Sequence, residues 1–556
     1  GQGGDDDDDD DDPHAPKLSD FTKGLPQFAN SLGADFETSA FRWGAKHATS
    51  TGRVAYFRQA YHGIPFSNAV GNIAWSHDQV VAYGSSFVDL KETKLADSTP
   101  TIRIYEVIPK IEQELDGKLS GPDPKLEYVL KGADTAVLTY KFQIHNVLKS
   151  MYLGVNVDAH TGEIVRVVDY SSQATYTAVP VDKMSIADGY EDIVDPEDLE
   201  ASPYGWHHNG TYLSDNTSGN NVLAGWLGSD NVTEFLPQAV GNLTFKVTFN
   251  QELEPTTPTN ANASAINAFY LLNKLHDITY RYGFTEIAFN FQANNFGKGE
   301  KGGDPIIAIV QDKERDDNAS FATLPDGQPG ICRAHLFKSP NPDRDAAMAN
   351  DVMAHEFGHG LTNRMVGGGT AECLNADEAR SMGEGWGDAL ANWLQQSSAD
   401  VTDFVIGAYL DDSPKGFRQY PYSVHRSVNP LTYASIPEKR VPHGVGEIWA
   451  NMLHNVYAAL VKEKGFSHNK FTDVDGLEGN IIWMHLYMDS LLLMPCNPSF
   501  VDARNAWIQA DENRYDGEHF CLLWREFAKR GLGTRADDTY TDSNYVPRGC
   551  GTRDAV

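Results

Sequence analysis

His355-Glu356-Phe357-Gly358-His359 is the stretch on which the reading of this chain turns. Residues four apart on a helix share a face, so His355 and His359 can converge on one metal ion while Glu356 reaches toward a water beside it. The flanks fit a helix. Ala347, Met348, Val352, Met353, Phe357 and Leu361 follow the spacing of a mostly buried one, after Pro340 and Pro342 and before Gly367-Gly368-Gly369.

A catalytic zinc takes three protein ligands and keeps a fourth position open, so a third ligand must follow. Two glutamates compete. Glu384 lies 25 residues after His359, within Gly383-Glu384-Gly385-Trp386-Gly387-Asp388, and Glu378 lies 19 after it, a spacing resembling that of zinc aminopeptidases. Small neighbours let the Glu384 helix pack closely on the histidine helix. Asp388, four residues on, shares the face of Glu384 and can accept the free ring N–H of His355. Glu378 has Met382 in that position. Thr362 and Met365 stand where a third-histidine extension would need Gly and His. The reading is a His355, His359, Glu384 metal site, with Glu378 the ligand of the aminopeptidase alternative.

Several further segments carry a resemblance. Asn273-Lys274-Leu275-His276-Asp277 through Tyr282-Gly283-Phe284, Phe291 to Gly297, the histidine helix, Met382 to Asp388, His443-Gly444-Val445-Gly446-Glu447-Ile448-Trp449, and Met494-Pro495-Cys496-Asn497-Pro498 stand in order along the chain. In this the chain resembles the fungalysins, secreted zinc endopeptidases related to thermolysin. Two departures stand out: the family usually has Thr where Gly358 is and often Ser where Gly387 is, and neither position is itself a ligand.

The resemblance implies roles by position. Glu356 is the expected general base, His443 the donor to the oxyanion, and Asn294, Asn295 and Phe296 the edge segment that hydrogen-bonds substrate backbone. Read without the resemblance, His443 is a surface histidine in a Pro-Gly loop and the two asparagines form a turn.

The chain has 556 residues, enough for several domains, and 41% hydrophobic content is ample for packed cores. No apolar run reaches membrane-spanning length; the best, Ile481 to Met494, is broken by His485 and Asp489. A net charge of -32 argues against nucleic acid and anionic membranes as partners. Protein or peptide substrates and a monomeric state are expected. Asp5 to Asp12 repel one another and read as part of a disordered tail over residues 1–20. The opening residues are not a basic and apolar leader, so a secretory signal is expected to have been removed.

Secretion is inferred from two features. Glycosylation triplets begin at Asn209, Asn216, Asn231, Asn242, Asn262 and Asn318. Five cysteines allow two disulfides, assigned as Cys332 with Cys373 and Cys496 with Cys521, leaving Cys550 free. Acidic loops such as Asp312 to Asp317 are candidates for calcium, although none has the spaced oxygens and turn glycine of a calcium hand.

The first third differs in texture, lacking cysteine and acceptor asparagines. Val54 to Phe57 and Gln79 to Tyr83 read as strands around a turn at His62-Gly63-Ile64-Pro65. Ile104, Val107, Ile108, Ile111 and Leu115 recur at helical spacing, followed by strands over 138–144, 152–157 and 164–168. The fold class is α+β. These segments resemble the fungalysin/thermolysin propeptide followed by a PepSY-like domain. That implies a zymogen whose prodomain, residues 21–173, acts as chaperone and bound inhibitor. Its junction is expected in an exposed loop at Gln173, Ala174 and Thr175. A β-rich N-terminal catalytic part (174–345) and a helical C-terminal part (346–556) should meet at a thermolysin-like cleft. Outside the enzymes, the alternative is a catalytically silent prodomain-protease binding complex. A complete set of His355, Glu356, His359, Glu384, Asp388 and His443 argues against it.

Overall fold

The computed structural model describes residues 40–551 apart from 49–52, 77–78, 133, 147–150, 170–173, 228–233, 242 and 440–441. The acidic run, Gln173, Asn231 and Asn242 lie outside the described residues. The chain contains both strands and helices and divides into two compact units, Gly1–Ser171 and Ser172–Val556.

The first unit is built on one sheet. Strands β1 (Ala40–Ala48), β2 (Arg53–Tyr61), β3 (Ile64–Ser76), β6 (Lys118–Lys131), β7 (Thr135–Asn146), β8 (Met151–Asp158) and β9 (Ile164–Asp169) follow in that order. β4 (Gln79–Ser85) pairs with β3, and β5 (Lys94–Leu95) with β7. Helix α1 (Ile104–Glu114) buries Ile104, Ile108 and Ile111, and these pack on Phe142, Ile144, Val155 and Val157. The 3.6-residue period of the helix thus meets the two-residue period of the strands in one small core.

In the second unit, a short sheet joins β10 (Thr175–Ala178), β11 (Glu191–Val194) and β14 (Thr244–Phe245). Ala174 is fully buried and its carbonyl accepts from Asp195 N–H, while Thr175 opens β10. These two residues are therefore not the exposed loop expected at the junction. Hydrogen bonding within the sheet holds them.

The larger sheet runs β13 (Glu234–Phe235), β12 (Val222–Leu227), β15 (Ile306–Asp312), β17 (Gly330–Phe337), β16 (Ala319–Ala322), with β18 (Arg344–Asp345) on β17. β12, β15 and β17 are parallel, whereas β16 pairs only with β17, antiparallel, and is the edge. Against it lies helix α2 (Pro258–Arg281), begun by a Thr257 cap on Asn260 N–H with Pro258 in its first turn. α2 is buried nearly all round, and its Asp277 accepts from Ser202 Oγ, Trp206 Nε1 and Asp198 N–H. A buried carboxylate with that many donors stays satisfied without solvent.

Helices α3 (Asn350–Met365), α4 (Asp377–Gln395), α5 (Pro442–Lys464), α6 (Gly479–Leu493), α7 (Phe500–Tyr515) and α8 (Phe520–Lys529) complete the unit. Trp386, Trp449, Trp483 and Trp507 are buried among them. Glycines set the crossings. A Cβ on Gly358 would lie 2.8 Å from Gly387 Cα, and one on Gly446 would lie 2.6 Å from Glu384 Cβ. Any side chain there would force α3, α4 and α5 apart.

Disulfides join Cys373 to Cys496 and Cys521 to Cys550, and Cys332 is free and buried. This corrects the pairing of Cys332 with Cys373 and of Cys496 with Cys521. Cys332 faces the core from the middle of β17, between Ala308 and Phe321, whereas Cys373 follows the glycine turn after α3. Bridging requires close Cα positions, which sequence order does not reveal.

Candidate metal centre and cleft

α3 presents His355, Glu356 and His359, and α4 presents Glu384 and Asp388. His355 Nε2 lies 3.2 Å from Glu384 Oε2, His359 Nε2 lies 3.5 Å from the same oxygen, and the two Nε2 atoms are 3.1 Å apart. Four-coordinate zinc with ligands near 2.05 Å requires donor atoms roughly 3.3 Å apart. The triangle fits that requirement. Glu384 Oε2 makes no well-aligned hydrogen bond although imidazole nitrogens crowd within 3.5 Å of it, which is the convergence a metal ion needs. Among the described residues these three form the one such group of His, Cys, Asp and Glu.

Behind the triangle, His355 Nδ1 lies 2.6 Å from Asp388 Oδ1. Asp388 is fully buried and also accepts from Arg418 Nε at 2.7 Å, from Arg418 Nη2 at 2.9 Å and from the Tyr422 hydroxyl. Burial would raise its carboxyl, but Arg418 and His355 hold it well below the usual range. Burial likewise pulls the His355 imidazolium down, and Asp388 and Glu384 outweigh it, leaving His355 at about 10. Burial pushes the Glu356 carboxyl up against the opposing pull of His355 and His359. A raised carboxyl pKa suits a group that must take up a proton.

His443 sits in the first turn of α5 rather than in a loop. Its side chain is 57% exposed, and Nε2 lies 3.1 Å from Glu384 Oε2. The cavity in front of these groups, about 560 Å³, is walled on the other side by Asn318, Ala319, Ser320 and Phe321 of β16 and its approach. The cleft thus lies between an edge strand and three helices.

Asn294, Asn295 and Phe296 do not line this cavity, contrary to the expected substrate segment. Asn294 Nδ2 donates to Asn209 O and its Oδ1 accepts from Phe296 N–H, while Asn295 Nδ2 donates to Gly299 O. Their amides close turns. The edge strand at the cleft is instead β16, and its approach contains Asn318, which the sequence singled out only as a glycosylation acceptor. Glu378, the competing ligand, accepts from Phe500 N–H at 2.7 Å and from Tyr540 Oη at 2.9 Å, outside the metal cluster. The acidic loop is engaged within the protein: Asp312 pairs with Arg333 and Asp316 with Lys338.

Arg418 and Tyr422 escaped the sequence reading, because no helical or strand period links them to Asp388. The other acceptor asparagines differ in setting. Asn209 stands in a partly exposed loop and Asn216 in a partly exposed bridge to Gln238, while Asn262 is on α2, where its Oδ1 accepts from Trp226 Nε1. No helix among the described residues is long and apolar enough to cross a membrane.

A family model described as fungalysin metallopeptidase (M36) matches residues 175–536. The chain is 35% identical over 530 residues to Extracellular metalloproteinase mep of Aspergillus niger, covering 89% of this chain and 83% of that one. To Extracellular metalloproteinase MEP of Pyricularia oryzae it is 34% identical, with coverages of 92% and 87%. To Extracellular metalloproteinase 1 of Arthroderma otae it is 35% identical, with coverages of 89% and 84%.

Proposed function

The chain belongs to the fungalysin metallopeptidase family, and from that premise we propose that it is a secreted zinc endopeptidase made as a zymogen, with its chemistry centred on Glu356. His355, His359 and Glu384 would hold the ion. The observation that carries this reading is the donor triangle of 3.1, 3.2 and 3.5 Å.

A zinc ion there supplies an acidified water and a polarised scissile carbonyl. Glu356 accepts a proton from the attacking water as the C–O bond forms, then delivers it to the departing amine nitrogen as the C–N bond breaks. His443, from the open side of the cleft, donates Nε2–H to the oxygen that becomes negative. Asp388 keeps the Nδ1 proton of His355 in place, so that Nε2 faces the ion. Arg418 and Tyr422 hold Asp388 in turn. The edge strand β16 offers unpaired backbone to an extended substrate, which favours cleavage of internal bonds.

We read residues 21–173 as the propeptide and 174–345 and 346–556 as the two halves of the catalytic unit. The division after Ser171 and the family match from residue 175 support that reading. Because Ala174 and Thr175 are built into the sheet, the cut that frees the enzyme would fall just upstream of them.

The test is metal analysis, casein digestion and N-terminal sequencing of the wild type and the Glu356→Gln variant. One zinc per chain in both, with digestion and a new N-terminus near residue 174 in the wild type alone, supports every part of the proposal. Zinc binding that survives His359→Ala together with Glu384→Ala would refute the site.

A further inference from the structure

A second cavity, about 700 Å³ and larger than the one at the metal site, opens at the carboxyl ends of β12 and β15. Its floor is an aromatic pair: Trp226 and Phe235 stack with centroids 4.3 Å apart and planes 14° apart, and Phe235 is 42% exposed. An exposed stacked pair in a concavity is a surface that an apolar side chain can cover with gain. The rim is acidic, with Glu254, Asp312, Asp316 and Asp343 against Lys313 and Lys338. Asp312 is engaged by Arg333 and Asp316 by Lys338. Among the described residues, Glu254 and Asp343 are in no ion pair.

This cavity shares a stretch of chain with the cleft. Asp316 and Leu336 line it, while their chain neighbours Asp317 and Phe337 line the metal-site cavity. Sheet register gives the separation: Trp226 pairs with Val310, Val310 with Ala334, and Ala334 with Ala319 of the edge strand. Three strand spacings make about 14 Å, the reach of about four extended residues. We propose that the Trp226–Phe235 cavity is an exosite for the polypeptide substrate. It takes an aromatic or large aliphatic side chain against the ring pair and a neighbouring lysine or arginine between Glu254 and Asp343. The proposal rests on the endopeptidase reading of the cleft, since only a long substrate can fill both cavities.

The test compares kcat/KM for a fluorogenic peptide of roughly six residues with two of roughly fourteen, which carry a Phe-Lys pair on one side or the other of the cleaved bond. The wild type should favour one long peptide about tenfold over the short one. Phe235→Ser combined with Glu254→Gln and Asp343→Asn, all surface changes, should erase that preference and leave the short peptide unaffected. Trp226 is kept, because its Nε1–H donates to Asn262. Equal kcat/KM for all three peptides in the wild type overturns the exosite, as does a triple variant that loses as much on the short peptide.

If the wild type cleaves none of them, the reading of the cleft has failed. Anisotropy of a labelled Phe-Lys peptide on Glu356→Gln then decides the exosite by itself, with binding lost in the triple variant expected and no binding overturning it. A dimer in sedimentation that Phe235→Ser dissolves would assign the cavity to a second copy of the chain and overturn the proposal.

Discussion

The helical wall of the cleft is fixed by buried charge and bare glycine, whereas the facing strand wall is fixed by one line of backbone pairing and by hydrogen bonds to the loop that follows it. On the helical side, Asp388 holds His355, Arg418 and Tyr422 together, and Gly358 and Gly387 let α3 and α4 touch. On the strand side, β16 has β17 as its neighbour. The loop after it is stapled by Arg364 of α3, through Leu324 O, Asp326 and Gln328 O. Atoms that react need sub-ångström placement, and dense, charged, inflexible packing provides it. Atoms that bind a variable chain need a free edge. The two walls therefore divide the work between chemistry and recognition.

Substitutions on the two walls should separate these jobs. The largest effect is expected at Glu356: Glu356→Gln lowers kcat by about 10⁴-fold with unchanged zinc content, read by peptide hydrolysis and metal analysis. Next is Arg418→Met, which leaves Asp388 buried with half of its compensation. Unfolding in urea should show a loss of about 3 kcal/mol, and zinc affinity should fall at least tenfold. Gly387→Ala places a Cβ 2.8 Å from both His355 Nδ1 and His355 O. It should cost about 2 kcal/mol and weaken zinc binding, whereas Gly283→Ala, strained by its φ of +118° but with open space around it, should lower stability and leave zinc affinity unchanged.

A subtler test concerns protons. His355 is held at about 10 before the ion arrives, so it is charged at pH 7 and must lose a proton to become a ligand. Calorimetry in buffers of different ionisation enthalpy should report about one proton released per zinc at pH 7, and less in Asp388→Asn, where the largest part of the pull on His355 is lost and that of Glu384 remains. The smallest effect is expected on the strand wall: Asn318→Ala should raise KM about threefold and leave kcat alone, one modest hydrogen bond being lost. A large fall in kcat there would break the division between the walls.

Sequence made the helical wall readable to an unusual depth. His355, His359, Glu384 and Asp388 are linked by spacings of four on two helices, and that period is local and specific. Helix α1 and strands β2, β4, β7, β8 and β9 were readable for the same reason, whereas β3, which lies between β2 and β4 and pairs with both, was not. Arg418 and Tyr422 were not, because they reach Asp388 only through the tertiary fold. The strand wall was less legible: the family resemblance gave Asn294 and Asn295 as substrate donors, whereas the residues themselves read as a turn, and turns are what their amides close; which strand forms the edge has no signature along the chain. The cysteine pairs failed for the same reason, since proximity in space has no signature along the chain.

The Cys373–Cys496 bridge closes a loop whose ends are 123 positions apart in sequence. Glu384, Asp388, Arg418, Tyr422 and His443 all lie inside it. A protease in a concentrated secretion is surrounded by copies of itself, and its own surface is part of its diet. A single nick inside that loop leaves two pieces joined covalently, with α4 between α5 and the histidine helix. The bridge thus keeps the pieces of a cut molecule from diffusing apart, so that a first bite severs the chain without dispersing the site.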